Sequence, residues 1–215
     1  MRKLVFLLCI FLSIESSAQE IKGITIDASI EEKAKDRFSS ISEMEGMDTI
    51  LCIYNNLITL DLFSDVEEIH YTEADSTRIF FKTFHFKNGD TIAINGGIGM
   101  FEGTGFYIRI IKDSAELFHF ASSDFPTFAF GQDDTLLHRI EVPCRSGKII
   151  LSQVPSFKRN EIIYGYVEFE SEKYFVESSN IDSEKQRESL RVNMKVYFKS
   201  REFPFDMQTG EAKGE

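Results

Sequence analysis

Tryptophan is absent from this 215-residue chain, cysteine occurs three times and proline four times. Without tryptophan, the aromatic platforms of a carbohydrate-binding β-sandwich would have to come from tyrosines such as Tyr107, Tyr164 or Tyr197. Cys9, Cys52 and Cys144 lie far apart, with no Cys-x-x-Cys pair, which argues against a zinc site or a redox motif. No basic cluster appears. Lys33, Lys35 and Arg37 are interleaved with Glu31, Glu32 and Asp36, and the whole chain carries a formal charge of −11. A protein that binds nucleic acid gains most of its affinity by neutralising phosphates, so that class is excluded.

Catalytic signatures are missing as well. There is no Gly-x-Ser-x-Gly elbow, no His-Glu-x-x-His, no phosphate loop and no EF-hand loop. His70, His85, His119 and His138 share no ligand-like spacing, so no metal or other cofactor is expected. No repeat of fixed period is found, which argues against a propeller or solenoid. Beyond the N-terminus, no apolar run is long enough to span a membrane as a helix.

The N-terminus has the order of an export signal: Arg2 and Lys3, an unbroken apolar run from Leu4 to Leu12, then Ser16-Ser17-Ala18 for cleavage. The run is about half of the ~20 residues a spanning helix needs. Cys9 sits inside the run, which argues against a lipid anchor. The expected organisation is a signal peptide over 1–18, one domain over 19–204 and a disordered tail over 205–215. Cleavage leaves 22 basic and 34 acidic residues, a net charge of −12. The expected location is exported, periplasmic or extracellular. An oxidising compartment permits a Cys52–Cys144 bridge, worth roughly 4 to 5 kcal/mol by chain entropy; two separate buried thiols are the alternative.

One helix is predicted over 29–44, from a Ser29/Glu32 capping box and an apolar stripe of Ile30, Ala34, Phe38 and Ile41, with Gly46 ending it. From residue 48 the chain reads as short runs rich in Ile, Val, Phe and Tyr between turn residues. Strands are predicted near 48–54, 57–63, 67–73, 77–87, 90–95, 104–112, 115–121, 126–130, 136–143, 147–153, 161–170, 173–178 and 189–199. Lys87-Asn88-Gly89-Asp90, Lys112-Asp113-Ser114, Arg145-Ser146-Gly147 and Glu170-Ser171-Glu172 read as hairpin tips. Residues 179–188 read as a polar connection with a helical turn. Alternation is strict in the last strand, where Leu190, Val192, Met194, Val196 and Phe198 face one way and Arg191, Asn193, Lys195 and Tyr197 the other. Around residues 79 to 86 both faces are apolar, which places that strand centrally. The expected fold is mainly β, an antiparallel β-sandwich with a barrel as the alternative, plus one N-terminal amphipathic helix.

Gly96 to Gly105 concentrates five of the thirteen glycines. The third glycine is out of place for a dinucleotide fingerprint. The segment reads as a hairpin connection or, in the second reading, a loop that contacts a ligand or partner through Phe101, Glu102 and Thr104. Glu168 and Glu170 project from one strand face, roughly 7 Å apart, and read as a solvated face more than a glycosidase pair. The leading expectation is a non-enzymatic exported protein that binds a protein or envelope component or serves structurally. A carrier of an apolar small molecule and a carboxylate-dependent hydrolase are the alternatives.

Overall fold

The computed structural model describes residues 21–38, 52–54, 57–65, 67–72, 81–98, 103–123, 128–158, 161–177 and 187–203. The chain is mainly β with one short helix. In order, the elements are β1 (Thr25–Ile26), α1 (Ile30–Phe38), β2 (Cys52–Tyr54), β3 (Leu57–Ser64), β4 (Glu68–Thr72), β5 (Phe81–Asn88), β6 (Thr91–Ile98), β7 (Gly103–Ile111), β8 (Ser114–Ser122), β9 (Ala129–Phe130), β10 (Leu136–Leu137), β11 (Arg139–Leu151), β12 (Ile162–Ser171), β13 (Tyr174–Glu177) and β14 (Arg187–Glu202).

All strands belong to one mixed sheet, whose main path runs β10-β9-β13-β14-β12-β11-β8-β7-β6-β5-β2. The sheet curls until β5 returns to β14 through two parallel pairs, Arg201↔Phe84 and Glu202↔His85. The Phe203 N–H donates to the His85 carbonyl at 2.8 Å beside this seam. The β3–β4 hairpin extends from the edge of β14 that also meets β5, and the β13–β9–β10 extension continues β12 along the opposite edge, so this is a curled sheet with extensions rather than a clean barrel. Facing stretches pack as the layers of a sandwich do.

Phenylalanine fills the space between them. Phe106 of β7 lies 5.2 Å from Phe198 of β14, strands that do not pair with each other, and Phe81 stacks on Phe106 at 5.9 Å. All three rings are fully buried, each worth roughly 1.5–3 kcal/mol of transfer free energy. The alternation predicted for the last strand is observed: Val192, Met194, Val196 and Phe198 are buried, while Arg191, Lys195 and Tyr197 lie on the opposite face. β5 is central as expected, flanked by β6 on one edge and by β2 and β14 on the other. Its inner face, however, alternates Phe81, Thr83 and His85, and its second face carries Phe84, packed 4.9 Å from Phe203.

Two hairpin tips fall where the turn chemistry places them, with Asn88 opposite Thr91 and Ile111 opposite Ser114. Gly89 (φ 59) and Lys112 (φ 56) supply the positive dihedral that two-residue hairpins require. The other two tips are corrected. Arg145-Ser146-Gly147 lies inside β11, which joins the strands predicted over 136–143 and 147–153. The chain does not reverse there because β11 exchanges partners, pairing β8 through Arg139–Pro143 and β12 from Cys144 onward, with a bulge between Cys144 and Ser146. Glu170-Ser171-Glu172 also continues forward, since β12 and β13 both pair antiparallel with β14 with only a one-residue slip. The sequence of polar residues looks like a turn, but a bulge has the same composition.

Helix α1 begins as predicted and is described as far as Phe38; residues 39–51 lie outside the described residues. Ile30 and Ala34, one turn apart, are buried. Asp27 holds the entry turn by accepting the Ser29 backbone N–H at 2.9 Å. Glu31 and Glu32 in the first turn and Lys35 and Arg37 in the last match the helix dipole. The helix lies on the outer face of β12 and β14, with Lys35 over the Tyr164 ring and Arg37 over the Tyr197 ring, each at 5.2 Å. Residues 1–18, 178–186 and 204–215 are outside the described residues.

Candidate functional site

Beyond the helix, the outer face of β11, β12 and β14 is uncovered among the described residues and strongly polar. Strand pairing sets it out in two transverse rows: Lys148, Glu168 and Lys195 in one, and Ser146, Glu170 and Asn193 in the next. The second row continues through Asp61 of β3 to His70 of β4, which are hydrogen-bonded to each other. A groove of about 420 Å³ lies over these rows and is lined by Ser146, Gly147, Lys148, Glu168, Glu170, Asn193 and Lys195.

The β11 bulge shapes this site. Strict alternation would put Arg145 and Ser146 on opposite faces, but the extra residue re-aims Arg145 so that it reaches Glu170 at 3.6 Å. Arg191 meets the same carboxylate oxygen at 2.9 Å. Glu168 accepts from Lys195 at 2.8 Å and from the Tyr166 hydroxyl at 2.9 Å. The Lys195 hydrogen bond, then that of Tyr166, hold the Glu168 carboxyl below its usual range. Lys148 makes no ion pair among the described residues, although its charge also favours ionised Glu168. Below the charges, the Asn193 Oδ1 is covered and has no hydrogen-bond partner, an arrangement that costs about 1–3 kcal/mol.

This chemistry suits recognition better than proton transfer. A glycosidase acid must hold a proton at working pH, which calls for a raised pKa. Glu168 is displaced the other way.

The inner face holds a second polar group. His119 is fully buried, with Nδ1 3.0 Å from the Gly105 carbonyl and Nε2 3.3 Å from the Tyr174 hydroxyl. A carbonyl only accepts, so Nδ1 carries the proton and Nε2 accepts from Tyr174. Burial is the main cause that lowers the imidazole pKa to about 4, against a smaller opposing effect of the Gly105 hydrogen bond. Burial likewise raises the Tyr174 hydroxyl. Cys144 is close by, a free thiol pushed up to about 12 by burial. Along the sheet, β8, β7, β6 and β5 separate its strand from that of Cys52, whose side chain lies outside the described residues.

At the seam, His85 Nδ1 lies 3.0 Å from Ser200 Oγ. Glu161 is near enough to feel His85, though its lowered pKa reflects burial working against hydrogen bonds from Ser156 and Phe157. A serine, a histidine and a glutamate thus come together. His85 and Ser200 are both 0% exposed, with the Phe157 ring edge-on to His85 at 5.6 Å, so this grouping is enclosed in the core.

Of the contact residues predicted in the glycine-rich segment, Phe101 and Glu102 lie outside the described residues. Thr104 stands in β7 opposite Ile98 and Ala121, its Oγ1 buried and without a hydrogen-bond partner. The glycines that open the segment serve packing. A Cβ on Gly96 would lie 2.5 Å from the Phe106 ring, and one on Gly97 would lie 2.6 Å from that of Phe120. The four histidines are dispersed, and no group of three potential metal ligands occurs among the described residues. No helix among them is long and apolar enough to cross a membrane.

Sequence reasoning found Glu168 and Glu170 but missed Arg145, Lys148, Asn193 and Arg191 as their neighbours. Cross-strand register brings them together, and register depends on pairing partners far apart in the chain. No protein-family model, curated protein or solved structure matches this chain.

Proposed function

We propose that this chain is an exported binding protein, not an enzyme, whose recognition face is the groove across β11, β12 and β14. The observation that carries the reading is the groove's combination of ion-paired carboxylates with cations not fully neutralised and a covered, unpartnered Asn193 amide oxygen. Such a surface offers several fixed, directional groups to a polar ligand without an acid or base poised to react. The export-signal pattern of residues 1–18 supports a ligand met in the periplasm or outside the cell.

The two other readings draw less support. A carrier of an apolar molecule needs free interior space, whereas Phe81, Phe106 and Phe198 occupy the space between the facing strands. A hydrolase needs a reachable acid or nucleophile, whereas Glu168 is held ionised and Ser200 is buried.

Native mass spectrometry of the mature protein, gently isolated from its own compartment, tests the reading. An adduct of small-molecule size on the wild type that is lost on Lys148→Glu supports it. An adduct retained by that variant, or bare protein in both cases, contradicts it.

A further inference from the structure

The charge balance of the groove narrows its ligand. Lys195 neutralises Glu168 and Arg191 neutralises Glu170. Arg145 adds a longer contact to a carboxylate already engaged, and Lys148 has no ion pair among the described residues. Four cations, Lys148, Lys195, Arg145 and Arg191, therefore stand against three carboxylates, Glu168, Glu170 and Asp61, the last of which acts on Lys195, on a chain whose net charge is −11. Solubility does not explain a local positive excess on an acidic protein, while attraction of an anion does. The excess lies at β11, where Arg145 and Lys148 stand on either side of Ser146, whose hydroxyl is a third donor. The bulge is what brings Arg145 onto the face that Lys148 occupies.

The groove floor is the opposite. Glu168, Glu170 and the Asn193 Oδ1 all accept hydrogen bonds. A complementary ligand is anionic at the β11 rim and rich in donors over β12 and β14. An extended peptide fits this poorly, because its N–H groups are fixed along the backbone and alternate in direction, so they do not converge on a cluster of acceptors. Sugar hydroxyls donate in several directions and can accept from the neighbouring Lys195 and Arg191. The volume, about 420 Å³, is in the range of small-ligand sites.

We propose that the groove binds a small acidic saccharide. Its carboxylate sits between Arg145 and Lys148 above Ser146, and its ring hydroxyls face Glu168, Glu170 and Asn193. This inference rests on the proposed recognition face and adds the chemistry of the ligand.

The test is titration of the folded, mature protein with digalacturonate, followed by amide chemical shifts, beside the neutral digalactose, an Asp-Asp dipeptide and sodium sulfate. The expected result is shifts concentrated in β11, β12 and β14 and binding weakened at least about tenfold by Arg145→Glu or by Lys148→Glu. Digalactose, the dipeptide and sulfate should each bind at least about tenfold more weakly, and added salt should weaken digalacturonate binding. Both variant positions are surface-exposed, and a dispersed spectrum establishes that each variant is folded. The inference is overturned if digalacturonate produces no shifts at about 10 mM, a concentration that would reveal even millimolar affinity. It is equally overturned if charge reversal leaves binding unchanged, or if sulfate or the dipeptide binds as well. A native adduct lost on Lys148→Glu, with no digalacturonate binding, overturns the saccharide class while leaving the recognition face intact.

Discussion

Acidification should destabilise the folded chain through His119 well before its carboxylates are protonated. The imidazole is buried, donates from Nδ1 to the Gly105 carbonyl and accepts at Nε2 from Tyr174. A proton added at Nε2 would abolish that acceptor and leave a charge in the core. In the folded state the pKa is lowered from 6.5 to about 4. The unfolded chain therefore binds the proton first as pH falls. The contribution of His119 is fully present above pH 6.5, declines between 6.5 and about 4, and is spent below that. At about 1.4 kcal/mol per pKa unit, the loss across this window is about 3 kcal/mol. That is a large part of a typical stability of roughly 5–15 kcal/mol.

Urea unfolding at pH 8, 6 and 5 measures the slope, and the same series on His119→Gln isolates its origin. The variant should be less stable at pH 8 but should lose about one proton's worth of pH dependence between pH 6.5 and 4. Imidazole nitrogen shifts in the folded wild type give a direct readout. A neutral ring protonated at Nδ1 that does not titrate above pH 5 is expected. A titration midpoint near 6.5, or a slope unchanged by the substitution, would refute the reasoning.

Gly96→Val should lower the midpoint of thermal unfolding, because its Cβ would meet the Phe106 ring at 2.5 Å; overpacking of this kind costs about 1–3 kcal/mol. Cys144, with its thiol pushed up to about 12, should react with a maleimide slowly in the folded protein and rapidly in urea, and equal rates would show that the thiol is not held as described. The protein isolated from its own cells should begin near Gln19, as intact mass would establish; retention of residues 1–18 would contradict export with cleavage.

The order of the elements was legible in the sequence wherever alternation or a turn had a local cause. Val192, Met194, Val196 and Phe198 declared their face because strand side chains alternate, and Gly89 declared its turn because few residues accept its dihedral. Ile30 and Ala34 marked the helix stripe for the same kind of reason. What failed was the meaning of short polar interruptions. Arg145-Ser146-Gly147 and Glu170-Ser171-Glu172 have hairpin composition, yet one is a bulge and the other a slip beside a continuous β14. Their outcome depends on partners distant in the chain. The two-residue β1 was also missed, since its parallel pairing with Ile150 and Leu151 has no local pattern.

The candidate site was less legible still. Glu168 and Glu170 stood out as a same-face pair, but their roles depend on Lys195, Arg191 and Arg145, which come from two other strands. Read alone, the two glutamates could be catalytic; in the fold each is engaged by a cation from another strand. His119 and Tyr174, 55 residues apart, likewise meet only because β11 stands between β8 and the stretch from β12 to β13.

A crystal structure of the protein isolated with whatever it carries from its own compartment tests the central claim most directly. The account predicts ligand density in the groove over Ser146, Glu168 and Asn193, in contact with Lys148. Density between Phe106 and Phe198, or at any face other than that of β11, β12 and β14, would contradict it.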